Sequence, residues 1–269
     1  MSEAAPLPRP VTLITGASAG IGAALARVFA HNGHQLVVVA RREQRLVQLA
    51  DEIAAAGRPR PHVLPLDLTR ADAATRIAAE LAAHGFEPQY VVNNAGFGLL
   101  GDAAALPCSE QLAMIDLNVR ALAELSLAFV DALSRQRGGI LNVGSVASYL
   151  PGPGMAVYYA TKAFVLSFSE ALHHELSKRG IRVTALCPGP VPTEFQARAG
   201  IKTIFGPKVL IRSADAVAAA GYAALMRGQR VVVPGIANTM VTMLVPLLPR
   251  GLLLEATARS QLGRAKPSK

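Results

Sequence analysis

Three side chains in one short stretch could together move a proton. In residues 145–162, SVASYLPGPGMAVYYATK, Ser145 closes an apolar run (GGILNVGS, 138–145) and a Pro/Gly loop follows. Tyr158 and Lys162 then stand four residues apart where the pattern turns helical. On a helix that spacing puts both on one face, with Cβ atoms ~5 to 6 Å apart. A free tyrosine has a pKa of about 10, whereas an acid/base catalyst works best with a pKa near the working pH. Lowering it by roughly three units needs about 4 kcal/mol of preference for the phenolate. An ammonium at ~5 Å across an effective dielectric of ~20 supplies about 3 kcal/mol. Lys162 is therefore expected to lower Tyr158, and Ser145 to hydrogen-bond the oxygen that Tyr158 protonates. The same Tyr-x-x-x-Lys spacing also arises on ordinary solvated helix faces. Tyr159 reaches Lys162 at i+3, so geometry alone leaves both tyrosines open.

The elements that must position these groups are legible as an alternation. Apolar runs at 11–15, 35–40, 62–68, 90–96, 138–145 and 181–187 are separated by amphipathic stretches at 20–32, 43–56, 70–84, 109–136 and 155–179. Short apolar strands alternating with helices predict a doubly wound α/β domain, a Rossmann-type parallel sheet of about seven strands with helices on both faces. In such sheets ligands sit beyond the carboxyl ends of the strands. Thr15, Asp67, Asn94, Ser145 and Pro188 all fall at those ends, so residues distant in sequence are expected to converge on one crevice. After the first strand comes G-A-S-A-G-I-G (16–22), whose glycines allow backbone to approach a phosphate at a helix N-terminus.

TGASAGIG (15–22), NNAG (93–96), Asn118, Ser145, Tyr158, Lys162 and PGPVPT (188–193) occur in order. This set resembles the short-chain dehydrogenase/reductase superfamily over roughly residues 11–235, and its C-terminal pattern is loosely similar to the branch of 3-oxoacyl thioester and steroid reductases. The resemblance selects Tyr158 over Tyr159, which is left as a packing residue. It implies a catalytic set of Asn118, Ser145, Tyr158 and Lys162, with Asn118 holding a water that passes protons to Lys162. Gly16, Ser18, Ala19, Gly20, Ile21 and Gly22 would form the cofactor turn, Asp67 and Leu68 would flank the adenine, and Asn94, Ala95 and Gly96 would line the ribose. Pro188, Gly189, Val191 and Thr193 would hold the nicotinamide end, and Tyr158 and Lys162 would also touch the cofactor. An Asp or Glu at the end of the second strand would repel a 2′-phosphate, whereas an Arg accommodates it. Here Ala40 is followed by Arg41 and Arg42, so NADPH (NADP) is expected over NADH, with Arg41 the better bet and Ser18 adding a hydroxyl.

The chain has 269 residues and net charge +9. Residues 194–269 hold 11 Lys/Arg against 3 Asp/Glu, so almost all of the excess charge lies there. Residues 194–212 are expected to form the substrate loop, Ser213 to cap the next helix, and residues 229–235 to supply the last strand. Residues 236–254 are apolar but interrupted by Pro246, Pro249 and Arg250, too broken for a span of about 20 residues. They are expected to be a lid, a subunit contact or a membrane-surface contact, ahead of a basic tail. Residues 1–10 read as a frayed N-terminus without an apolar targeting segment. Cys108 and Cys187 lack metal-ligand spacing and the histidines lack H-E-x-x-H, so no metal site is expected, and a cytoplasmic setting fits the cysteine usage. No nucleic-acid module accompanies the basic residues.

Together these features point to reduction of an apolar carbonyl compound. An apolar lid among cations fits a 3-oxoacyl thioester, with Lys202, Lys208 and Arg212 meeting the anionic handle. Oxidation of a secondary alcohol at the same site, and a cofactor-binding regulatory or membrane-surface protein without turnover, are the alternatives. The resemblance also implies a homodimer or homotetramer paired through the long helices.

Overall fold

The computed structural model describes residues 8–201 and 208–262, apart from the side chains of Ser260 and Leu262. Among them, seven parallel strands form one sheet in the order β3-β2-β1-β4-β5-β6-β7. The strands are β1 (Arg9–Thr15), β2 (Leu36–Ala40), β3 (His62–Pro65), β4 (Phe86–Asn93), β5 (Gly139–Val143), β6 (Arg182–Leu186) and β7 (Val231–Val232). Because the order turns outward in both directions from β1 and β4, a crevice opens between their carboxyl ends. β1 begins two residues ahead of the expected start, with Arg9 opposite Phe86 and Pro10 opposite Glu87. Residues 1–7 lie outside the described residues.

The helices follow the expected alternation. They are α1 (Gly20–His31), α2 (Glu43–Ala55), α3 (Ala73–Ala83), α4 (Cys108–Ile115), α5 (Leu122–Ala128), α6 (Val130–Arg135), α7 (Ala156–Ser177), α8 (Glu194–Ala199), α9 (Ala214–Met226), α10 (Ile236–Leu244) and α11 (Arg250–Leu262). The long helix expected over 109–136 is instead three pieces. A π-helical turn, Asp116–Ala121, joins α4 to α5, and Phe129 breaks the path at φ −112° and ψ 12°. Ser213 caps α9 as expected, its hydroxyl accepting from the Ala216 amide at 3.2 Å.

Two apolar layers sandwich the sheet. One centres on Phe29, Ile14, Leu25 and Leu186 beneath α1, α2 and α9, the other on Leu13, Ile77, Leu133 and Ile140 beneath α3, α5 and α7. A buried polar chain crosses the second layer. Asn93 donates to Ser126 Oγ and Asn142 Oδ1, both at 2.9 Å, and Asn142 donates to Ser169 Oγ at 3.0 Å. These bonds tie α5 and α7 to adjacent strands β4 and β5. A slip of either helix would strand buried polar groups, at about 1–3 kcal/mol each. The register of the helix that carries Tyr158 and Lys162 is thereby fixed.

Candidate active site

Ser145 follows the end of β5 and opens a single 3₁₀ turn, Val146–Tyr149. Its hydroxyl accepts from the Ala147 amide at 3.1 Å, and Ser148 Oγ accepts from the Ser145 amide at 3.3 Å. This reciprocal cap fixes the Ser145 side chain at the crevice. Across from it, Tyr158 and Lys162 lie one turn apart on α7, and both are buried. Ser145 hydrogen-bonds the Tyr158 hydroxyl. Lys162 Nζ donates to the Val143 carbonyl at 2.8 Å and stands 5.9 Å from the Tyr158 ring centre.

The electrostatics reverse one expectation. Burial raises the Tyr158 phenol above its ordinary value, outweighing the lowering effect of the Ser145 hydrogen bond. Burial also pushes the Lys162 ammonium down to about 8. A depressed lysine does not hold a neighbouring tyrosine down in this setting, because the same apolar surroundings disfavour both charged forms. The Tyr158 phenol consequently keeps its proton at neutral pH.

Asn118 enters through the π-helical turn, a local widening often found at functional positions. Its amide is fully engaged. Oδ1 accepts from the Phe97 amide at 3.1 Å, and Nδ2 donates to the Phe97 carbonyl at 2.9 Å and to Thr161 Oγ1 at 3.1 Å. It does not line the cavity. Its side chain clamps Phe97 against Thr161 of α7.

A cavity of about 790 Å³ runs along the carboxyl ends of the strands. Every residue expected to meet the cofactor lines it except Gly22. Gly22 acts from behind, since a Cβ there would lie 2.3 Å from the Gly16 carbonyl oxygen. Gly16 and Gly20 adopt φ of 66° and 56°, the left-handed region the turn requires. Asn94 holds that turn by donating to the Thr15 and Gly16 carbonyls at 2.9 and 3.2 Å, so its side-chain amide supports the loop. The turn, helix N-terminus and elongated cavity fit a dinucleotide.

At one end of the cavity Arg42, more than Arg41, is the organised cation. Arg42 donates to Ser18 Oγ through Nε at 3.3 Å and Nη2 at 3.1 Å. Arg41 is exposed and lies 3.9 Å from Asp67. Burial would raise the Asp67 carboxyl, but hydrogen bonds from the Thr69 amide and hydroxyl, with Arg41 and Arg198 nearby, hold it below its ordinary value. Arg198 on α8, which the motifs did not single out, lies over the Phe97 ring at 4.2 Å. Burial, and then Arg41 and Arg42, push its guanidinium down.

At the other end Pro188, Gly189, Val191 and Thr193 follow β6. Thr193 caps α8, and the walls beyond Tyr158 are apolar, built from Phe97, Leu99, Met155, Phe195 and Ile201. Gln261 of α11, distant in sequence and without any motif, completes this wall. It is 6% exposed and donates to the Tyr159 hydroxyl at 2.7 Å. Tyr159 is therefore a wall residue as well as a packing residue. Neither Lys208 nor Arg212 lines the cavity, and Lys202 lies outside the described residues.

Among the described residues one group could hold a metal. Against the expectation of no metal site, His62, Glu80 and His84 converge at the far edge of the sheet with ligand atoms within 4.8 Å of one another. None of the three lines the cavity, and His62 already bonds Glu80 at 2.9 Å.

The family model described as short chain dehydrogenase matches residues 10–202. The chain belongs to that family. This short chain dehydrogenase is 39% identical over 188 residues to sulfoacetaldehyde reductase 2 of Chromohalobacter salexigens, covering 69% of this chain and 74% of the relative. Among solved structures, the short-chain dehydrogenase of Sphingobium yanoikuyae in complex with NADPH superposes with a TM-score of 0.78 at 31% identity, over 97% of this chain and 98% of the other. The bulky-bulky ketone specific alcohol dehydrogenase of Comamonas testosteroni gives 0.73 at 28%, over 97% and 96%. These two structural matches extend through the C-terminal segment, which lies beyond the region of the family model.

Proposed function

We propose that this protein is an NADPH-dependent reductase of bulky, apolar ketones. The observation that carries the reading is a buried, protonated Tyr158, hydrogen-bonded to Ser145, facing a cavity whose wall is apolar and whose far end is an Arg42–Ser18 pair. NADPH, when bound, supplies the hydride. The likeness to an NADPH complex and to a bulky-ketone enzyme supports this assignment.

The chain's own residues divide the remaining work. The Gly16–Gly22 turn, Ala95, Gly96 and the segment following β6 bind and orient the cofactor, and Arg42 with Ser18 meets its 2′-phosphate. Ser145 holds the carbonyl oxygen. Tyr158 gives its hydroxyl proton to that oxygen as it becomes an alkoxide, and Lys162 holds the proton supply beside it. Phe97, Met155, Phe195 and Ile201 exclude water and receive the apolar body of the substrate. The raised phenol favours reduction over alcohol oxidation near neutral pH, because the proton to be donated is already on Tyr158.

Initial rates of NADPH oxidation test the reading, with diaryl and long alkyl ketones set against small ketones and 3-oxoacyl thioesters. Rates that rise with ketone bulk and exceed those on thioesters are expected. A strong preference for thioesters would restore the anionic handle, although the basic side chains first assigned to it that are described lie off the cavity. Leu112, Ile115, Leu127 and Phe164 are exposed on α4, α5 and α7, which supports a homo-oligomer paired through these helices. Among the described residues no helix is long and apolar enough to cross a membrane. The exposed Ile236, Met243 and Leu247 leave a membrane-surface contact to be tested by liposome co-sedimentation.

A further inference from the structure

Glu194 opens α8 and reaches back across the cavity mouth. Its Oε2 accepts from Arg42 Nη1 at 2.6 Å, and Arg45 Nη2 lies 3.8 Å from its Oε1. The same Arg42 guanidinium donates to Ser18 through its other two edges. A carboxylate therefore sits among two arginines and a serine hydroxyl, the donor set a phosphate monoester dianion prefers. Nothing in the cofactor-binding motifs calls for an acid here. An acid placed beside a phosphate site opposes phosphate by like charge and by occupying the same donors.

We propose that Glu194 is an internal competitor of the cofactor 2′-phosphate for Arg42, and so sets how strongly the protein prefers NADPH over NADH. This rests on the NADPH reading given above. The competition also has a route to the substrate side. Glu194 is followed on α8 by Phe195, whose ring centre is 5.3 Å from that of Tyr158, and Arg198 of the same helix covers Phe97. Displacement of Glu194 by phosphate releases the first turn of the helix whose next residue packs on the catalytic tyrosine. Phosphate recognition and the shape of the substrate wall are thereby linked through six residues, Glu194–Ala199.

The test is a pair of dissociation constants, for NADPH and for NADH, measured by nicotinamide fluorescence titration on the wild-type protein and on Glu194→Gln and Glu194→Asp. Both arginines and Glu194 are about half exposed, so the pair is worth what a surface ion pair is worth, and Glu194→Gln should bind NADPH about two- to five-fold more tightly. NADH affinity should not move. NADH is the internal control for any loosening of α8, because Glu194 also stabilises the helix N-terminus. Glu194→Asp, which keeps the charge, should stay near wild type. Weaker NADPH binding by Glu194→Gln would make Glu194 a positioning residue that orients Arg42, and equal binding would make it a bystander; either overturns the proposal. A wild-type protein with no preference for NADPH overturns the cofactor reading itself, and the proposal falls with it, a result distinguishable from the first two because it appears without any variant.

Discussion

The two ends of the cavity are built on opposite principles. At the end proposed to carry the chemistry Tyr158 and Lys162 are buried beside Ser145 and the Val143 carbonyl, and their protonation is governed by desolvation. At the Arg42 end Arg41, Arg42, Arg45 and Glu194 are all about half exposed and in ion pairs, Arg41 with Asp67 and the other two arginines with Glu194. Salt screens exposed charges beyond about 8–10 Å and weakens exposed ion pairs, whereas buried groups feel it little. One end should therefore answer to pH and ignore salt, while the other should answer to salt and to charge substitution. The difference predicts that substitutions can break the two ends one at a time, although α8 runs between them.

The largest expected effect breaks the chemistry alone. Tyr158→Phe removes the donated proton and should lower kcat by about 10²- to 10⁴-fold, the range assigned to a positioned acid. Its dissociation constant for NADPH should change by less than about two-fold, since the phosphate end is untouched. Tyr159→Phe, measured alongside, should retain most of its turnover. Equal losses in both variants would mean that the two tyrosines act together and that the register read from Ser145 is wrong. The second effect breaks the other end. Arg42→Ala removes charge-assisted hydrogen bonds worth about 1.5–3 kcal/mol, so NADPH should bind roughly 10- to 100-fold more weakly while NADH is unchanged. The wild-type preference for NADPH should itself shrink between 50 and 500 mM NaCl.

Much of this site was legible before any coordinates, and the exceptions have physical causes. The strand ends that converge, Thr15, Asp67, Asn94, Ser145 and Pro188, follow from an alternation that a parallel sheet dictates, and the sheet has that topology. Spacing brought Ser145 and Lys162 together with two candidate tyrosines, and the family resemblance chose Tyr158 between them. The direction of the Tyr158 shift did not, because sequence gives the distance to a cation but not the depth of burial, and burial dominates. Sequence ranked Arg41 above Arg42 and the structure reverses the order, since the choice depends on which side chain reaches Ser18. Glu194, Arg198 and Gln261 carry no motif. Each comes to the cavity by tertiary placement of α8 or α11, and Glu194 and Arg198 were covered in sequence only as members of the expected substrate loop, 194–212. His62 and His84 share no ligand spacing in sequence because all of α3 lies between them, and its fold back toward β3 brings them together.

A smaller effect sharpens the contrast through pH. Lys162 is charged below about 8 and loses its proton as pH rises through that value, because burial has lowered it from the ordinary lysine range. The reductive kcat should be flat at lower pH and fall about ten-fold for each unit above that midpoint, provided the lysine's proton is the one that resupplies Tyr158. Raising NaCl to 500 mM should leave the midpoint within a few tenths of a unit while NADPH affinity drops. A midpoint that moves with salt as strongly as the affinity does would place Lys162 in contact with solvent during turnover.

The smallest effect concerns the apolar wall and asks whether the C-terminal helix belongs to the catalytic end or only covers it. Gln261 is buried, lines the same cavity as Tyr158, and bonds the hydroxyl of the adjacent tyrosine, yet it belongs to a helix whose Leu252 is 65% exposed. Its bond to Tyr159 is a neutral hydrogen bond, worth about 0.5–1.5 kcal/mol, added to the shape of the wall. Gln261→Ala should therefore shift KM for a bulky ketone by roughly two- to ten-fold and leave KM for a small ketone and both cofactor affinities alone. That pattern assigns α11 to substrate selection, with its apolar outer side left for a subunit or membrane contact. A matching change in kcat for small and bulky ketones alike would mean that Gln261 acts through Tyr159 on the neighbouring Tyr158, and the helix would then be part of the catalytic end itself.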